Sequence, residues 1–268
     1  MTETATLNEL LDRNALDEAI RAATEQVKLR ARDLGVRLQL AELCVISGDL
    51  ERAETHAKLS STLSPDDVVG LGVFRQHLRG MHARAEWWQK GAMPTFPMGP
   101  TQCDSIALKL NIALREGDGD GAKAALDALE AARGEYSGIW NGIAAEDIRD
   151  LDDRIPHAFE AITAGGNYLW LDMSIVTEIS FQPIRRPIDL AYRRARVTLK
   201  DGAGADLLLP NIYWDTDDDM GKLARNTSFE PLPGGLMTGR GQRAYLVGED
   251  MKPALEAETL VFASGKDA

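Results

Sequence analysis

A short pattern recurs along the first half of the chain, and its spacing restricts the fold more than any other feature. Asn14-Ala15-Leu16-Asp17-Glu18-Ala19 is echoed 34 residues on by Gly48-Asp49-Leu50-Glu51-Arg52-Ala53, and more faintly by Gly119-Asp120-Gly121-Ala122-Lys123-Ala124. In each copy a turn residue precedes an acidic start and then an Ala, where a helix would cross its partner closely. A period in this range marks stacked helix–turn–helix units, because one such pair cannot bury both of its faces and at least three must stack.

The apolar positions agree. Leu16, Ala19, Ile20, Ala23 and Val27 follow helical spacing, as do Leu34, Leu38, Ala41 and Val45. Ile106, Leu110, Ala113 and Leu114 form a further stripe, and Ala122, Ala125, Leu126 and Leu129 another. Ser64-Pro65-Asp66-Asp67 reads as the start of a long helix reaching about Lys90, with a Ser cap, Pro in the first turn and acids at the positive dipole end. Gly91 to Pro100 is rich in Gly, Pro and Met and reads as a loop. A spacing of 34 is the tetratricopeptide period, but the Trp and Tyr positions of that motif are absent, so the segment is TPR-like. Such stacks carry a concave surface that commonly takes up a peptide or helix.

Toward the C-terminus the period changes to two. Ala195, Val197 and Leu199 alternate with Arg194, Arg196, Thr198 and Lys200, the pattern of a half-buried strand, and Asp201-Gly202 closes it as a hairpin turn would. Ala205 to Trp214, Arg243 to Val247 and Thr259 to Phe262 read as further strands, and Pro231 to Gly241 as loop. The expected fold class is α+β. A TPR-like α-α superhelix over residues 1–135 leads through a helical connector at 136–166, with its helix over Ala144 to Ala164, into a β-rich domain at 167–268 of four to six short strands.

Net charge and composition exclude several function classes. At −12, the chain lacks the excess of Lys and Arg that nucleic-acid binding needs, and the same balance disfavours a membrane surface. No stretch approaches the roughly 18 apolar residues of a spanning helix. Met1 to Leu10 has no basic segment followed by an apolar one, as a signal peptide would. Cys44 and Cys103 stand apart from any ligand cluster and read as buried thiols, which places the expected location in the cytoplasm.

No catalytic constellation, metal site or cofactor motif emerges. The histidines His56, His77, His82 and His157 show no ligand spacing, and no G-x-S-x-G elbow occurs. Asp217-Asp218-Asp219 could hold a hard cation but reads better as a solvated acidic turn. Gly239-Arg240-Gly241-Gln242-Arg243 lacks the helix that a phosphate cradle requires and reads as a hairpin entry. Two features are candidate partner-binding sites. Arg185, Arg186, Arg193, Arg194 and Arg196 form a basic stretch that could dock an acidic partner, or could be a solvated strand face paired with the acids at 215–219. Trp87-Trp88 could anchor a partner or pack beneath the Gly91–Pro100 loop.

A set of segments runs in order along the chain: Leu43 to Ala53, Ala57 and Leu63-Ser64-Pro65 in the N-terminal half. It continues with Trp140-Asn141-Gly142-Ile143-Ala144, Asp152 to Ile155, Asn167 to Leu171, Ile179-Ser180-Phe181, Pro187 to Ala195, Leu223 to Phe229 and Gly239 to Arg243. By these segments the chain resembles the ImpE/TagJ family of type VI secretion accessory proteins, also known as SciE-type virulence proteins. Leu171-Asp172 departs from the family's Val/Ile-Pro-Phe turn, and Phe229 replaces a usual Trp. The resemblance implies a non-enzymatic adaptor. Its partners would be the N-terminal helical segment of the small contractile-sheath subunit and the AAA+ ATPase that dismantles contracted sheaths. A general TPR-like scaffold with a different partner is the alternative, and an enzyme hidden in the acidic second half is a third reading.

Overall fold

The structure is a computed structural model that describes residues 6–63 and 68–263. Helices occupy the first half: α1 (Leu7–Asp12), α2 (Leu16–Leu29), α3 (Leu34–Ser47), α4 (Leu50–Leu63), α5 (Val68–Lys90), α6 (Gln102–Glu116) and α7 (Gly119–Arg133). The helix start read at Ser64 to Asp67 lies outside the described residues. The sequence echo has a physical basis, but its third copy is shifted by two residues. Asn14, Gly48 and Gly117 each adopt positive φ just before a helix. The residue five positions after each, Ala19, Ala53 and Ala122, has no exposed surface. Ala124, which the sequence pattern placed at the crossing, is exposed instead. The register follows the left-handed residue that ends the preceding turn, which Gly and Asn adopt with least strain.

Helix α3 is buried on nearly all sides, through Val36, Leu40, Ala41, Leu43, Cys44, Val45 and Ile46. A helix apolar all round belongs in a core, and so its stripe is broader than the one read from spacing. Helix α2 has no side-chain cap of its own at Ala15. The carboxylate of Asp219 serves instead, accepting from the amides of Leu16 at 3.0 Å and Asp17 at 3.4 Å. The acidic run thus clips the second helix to the C-terminal half and is not merely a solvated turn. Asp218 caps the short helix α9 (Asp219–Lys222), and Asp217 lies 3.6 Å from Arg240.

The stretch 136–166 is not a helical connector. It contains strands β1 (Gly138–Trp140), β2 (Ile143–Ala145), β3 (Ile148–Asp150) and β4 (Ala158–Thr163). Asn141 and Gly142, at φ 49° and 84°, form the two-residue turn that joins β1 to β2. Strand β4 escaped the pattern because both of its faces are buried. Ala158 and Ile162 pack toward the helices, while Phe159 and Ala161 pack on the opposite core. Alternation by polarity vanishes in such a strand.

The remaining strands are β5 (Tyr168–Asp172), β6 (Val176–Phe181), β7 (Tyr192–Leu199), β8 (Gly204–Pro210), β9 (Thr227–Pro231), β10 (Met237–Gly241), β11 (Ala244–Val247), β12 (Asp250–Pro253) and β13 (Thr259–Phe262), with a short helix α8 (Ile188–Ala191) before β7. Thirteen strands among the described residues exceed the four to six expected, and the segment read as loop at 231–241 pairs as the β9–β10 hairpin. One antiparallel sheet runs β2-β1-β13-β6-β7-β8-β4-β5, and a second runs β12-β11-β3. The Gly91–Pro100 loop extends the first sheet, since Thr95 exchanges backbone hydrogen bonds with Tyr168 and Trp170 on edge strand β5.

The helices and one face of the large sheet share a continuous core in which Leu78, Met81 and Trp87 meet Ile162, Tyr168 and Trp170. The other face closes on the three-stranded sheet through Phe159, Val197, Tyr245 and Val247. Helix α5 approaches the sheet so closely that a Cβ on Gly80 would overlap the Ile162 side chain.

Candidate functional site: a buried ionic hub and the surfaces around it

Glu160 is the most heavily bonded charged group in the interior. It sits on the helix-facing side of β4 with no exposed side-chain surface. Its Oε1 accepts from Arg84 Nε at 2.8 Å, Trp88 Nε1 at 2.9 Å and Tyr168 Oη at 2.5 Å. Its Oε2 accepts from Arg84 Nη2 at 3.0 Å and from Arg243. Arg243 reaches Asp150 at 2.6 Å, and Asp150 also accepts from Tyr213 Oη at 3.2 Å and the Asp152 amide at 2.8 Å. Burial opposes ionisation of Glu160, but the guanidiniums of Arg84 and Arg243 outweigh it and hold the carboxyl far below its usual range. Asp150 differs. Burial pushes it up to about 6, Arg243 opposes the shift and Asp152 adds to it.

This hub absorbs the Gly239 to Arg243 motif. Arg243 is its central cation, while Arg240 pairs with Glu230 at 2.7 Å. Gly239 lies against the ring of Tyr213, leaving no room for a Cβ. No phosphate cradle exists there, because the motif forms strand β10 and the entry to β11. The hub was not anticipated from sequence. The signal available was Glu160 within the apolar run Ala158 to Ile162, since a buried carboxylate demands a partner.

A second polar cluster joins Asp104, His157 and Asp172, whose ligand-capable atoms lie within 4.8 Å of one another. Every carboxylate oxygen in it already accepts a hydrogen bond. Asp104 takes His157 Nε2 at 3.0 Å and the Thr101 amide at 2.9 Å. Asp172 takes Ser174 N at 2.7 Å and Tyr136 Oη at 3.0 Å on one oxygen, and Thr101 Oγ1 at 2.6 Å on the other. These bonds tie the start of α6 to His157, just before β4, and to Asp172, at the end of β5, so the cluster acts as a clasp. It also explains Asp172, the departure from the family turn.

The sequence-derived partner residues divide between interior and surface. Trp87 is 2% exposed, edge-on to Trp170 at 4.9 Å and beneath the Arg115 guanidinium. Trp88 is half-buried between Glu160 and Arg154, whose guanidinium stands 4.3 Å from its ring centre. The pair is therefore part of the core. Arg193 is also buried, donating to the carbonyls of Gln182, Leu255 and Ala257. Arg185, Arg186, Arg194 and Arg196 are exposed. They do not pair with the acids at 215–219. Arg186 pairs with Glu42, Arg196 lies 3.5 Å from Asp206, and Asp189 accepts from the backbone amides of Arg185 and Arg186.

Arg185 and Arg186 line a shallow cleft of about 330 Å³ with Leu11, Ile184, Leu190 and Arg225. On its other side Arg186 joins Arg194 over a small pocket floored by Phe74, Met81 and Tyr192. His77 faces that pocket, where burial and the charge of Arg194 lower its pKa to about 4.

A helical-repeat layer fused to an antiparallel sheet, with an ionic hub at the seam and a basic cleft beside it, defines the class of protein. Residues 142–261 match the ImpE protein family model. The chain is 27% identical over 242 residues to the type VI secretion system accessory component TagJ of Pseudomonas aeruginosa, covering 87% of this chain and 83% of that protein. The crystal structure of protein VPA1032 from Vibrio parahaemolyticus superposes with a TM-score of 0.91 at 22% identity, over 97% of this chain and 98% of that one. The second half of the chain is thus similar to the ImpE family, and most of its length is similar to a type VI secretion accessory component.

Proposed function

We propose that the protein is a non-enzymatic adaptor of a type VI secretion system. It would work in the cytoplasm, bind the N-terminal helical segment of the small sheath subunit and associate with the AAA+ ATPase that dismantles contracted sheaths. The observation that carries the reading is the similarity to TagJ over most of both chains. The interior adds support, because Glu160 accepts from both Arg84 on the helical layer and Arg243 beyond the sheet, an arrangement suited to holding two layers together. Among the described residues no helix is long and apolar enough to cross a membrane. The exposed arginines Arg185, Arg186 and Arg194 are the proposed contact surface, with Arg196 two residues beyond Arg194 on β7.

Calorimetric titration of the full chain with a synthetic peptide of that sheath segment tests the proposal. Binding on the order of micromolar, weakened in an Arg185→Glu/Arg186→Glu variant, is the expected result. Absence of binding to the peptide, the intact sheath and the ATPase would leave a scaffold with another partner. Truncation is a poor probe here, because the helices and the sheet share one core.

A further inference from the structure

A groove with no residue in common with the arginine clefts lies where the β1–β2 hairpin meets the β11–β12 hairpin. Its volume is about 540 Å³. The floor is apolar: Trp140, Ala144, Ala145 and Val247, with Ile143 left 69% exposed at its lip. Five carboxylates line it against a single cation, Lys252. Lys252 is taken by Asp250 at 3.1 Å, and Asp147 by Arg133 at 2.6 Å. Glu135, Glu146 and Glu249 are exposed and have no ion-pair partner among the described residues.

Strand β2 forms one wall, and it ends the large sheet, so its outer edge has no strand partner among the described residues. An apolar strip bounded by unpaired carboxylates and an open strand edge selects a definite chemistry. Aliphatic side chains remove Ile143 and its neighbours from water. Lys or Arg on alternate positions meet the acids, and backbone amides pair with β2. We infer that this groove is a second docking surface, whose occupant is an extended peptide segment of another protein in which aliphatic residues alternate with Lys or Arg. An acidic or uncharged segment would leave the three carboxylates uncompensated, and a purely basic one would leave Ile143 in water. The inference stands apart from sheath binding, because it rests on different residues and selects by opposite charge.

The probe is the labelled peptide Lys-Ile-Arg-Val-Lys-Ile-Arg, titrated with the full chain by fluorescence anisotropy beside a twin carrying Glu at each basic position. The expected result is saturable binding of the basic peptide alone. Affinity should fall about tenfold or more in Glu146→Lys/Glu249→Lys and in Ile143→Asp. The control Glu51→Lys/Glu116→Lys, which changes net charge equally on exposed helix positions, should bind as the parent does. Equal losses in groove and control variants would reduce the effect to net charge and overturn the inference. So would unchanged binding by the groove variants, equal binding of the Glu twin, or no binding at about 1 mM peptide, where even weak specific contacts register. A matching melting temperature for each variant separates lost binding from lost folding.

Discussion

The substitution Glu160→Gln tests whether the ionic hub holds the helical layer on the sheet. Gln keeps the size of the side chain and one acceptor oxygen but removes the charge that balances two guanidiniums. Arg243 retains Asp150, whereas Arg84 is left with no opposite charge, only neutral acceptors such as the Ile212 carbonyl and the rings of Tyr192 and Trp214. Removing one partner of a buried ion pair costs about 3–5 kcal/mol, since the other charge is left uncompensated. A chain of this length shifts its melting point by roughly 2–3 °C per kcal/mol, so Tm should fall by roughly 6–15 °C in a calorimetric scan. Adding Arg84→Met removes the stranded charge, and the double variant should recover about 1–3 kcal/mol relative to the sum of the single losses. The acid limb of the stability curve should change as well. Glu160 is held below its ordinary value of 4.5, so its contribution is complete above that pH and is lost as pH falls. Asp150 acts in the opposite sense, since its raised value near 6 makes its contribution decline as pH rises from 3.8 to 6. Glu160→Gln should therefore flatten the acid limb and leave the Asp150 segment. A Tm within about 2 °C of the parent, or strict additivity in the double variant, would refute the assignment of Glu160 as the hub.

Gly80→Ala should destabilise by about 1–3 kcal/mol through overpacking against Ile162, against the gain of roughly 1 kcal/mol that Ala brings to an open helix site. Urea unfolding decides the sign. Asp219→Ala should cost about 0.5–2 kcal/mol by uncapping α2, with hydrogen exchange rising first at the amides of Leu16 and Asp17. His77 titrates near 4 when folded and near 6.5 when unfolded, so stability should decline as pH falls across that window. His77→Phe should remove that slope, and an unchanged slope would exclude His77 as its source.

The helical half was legible because the helices other than α3 show a stripe to the core and the crossings are marked by Ala after a turn residue. Even there the third copy was misplaced, since Gly117 and Gly119 both suit a turn and only backbone conformation separates them. The sheet was legible only where one face meets water. Strand β7 shows its alternation, with Arg194 and Arg196 outward and Ala195 and Val197 inward. Strands β4 and β5 are buried on both faces, and Ala158, Glu160 and Ala161 suit a helix by local propensity. The Asn141-Gly142 turn was a local sign of strands before residue 158, since Asn-Gly suits the two-residue hairpin that pairs Trp140 with Ile143.

The ionic hub was hidden for a different reason. Its members, Arg84, Asp150, Glu160 and Arg243, are far apart in the chain, and each looks like a surface charge in its own window. Long-range pairing decides which charges a fold can bury, so a basic stretch read by composition mixes two kinds of residue. Arg193 is spent on three carbonyls inside the fold. Arg194 points to the other side of the same strand and stays exposed. The same alternation leaves Arg194 and Arg196 of this strand open to a partner, alongside Arg185 and Arg186, which are exposed in the loop before α8.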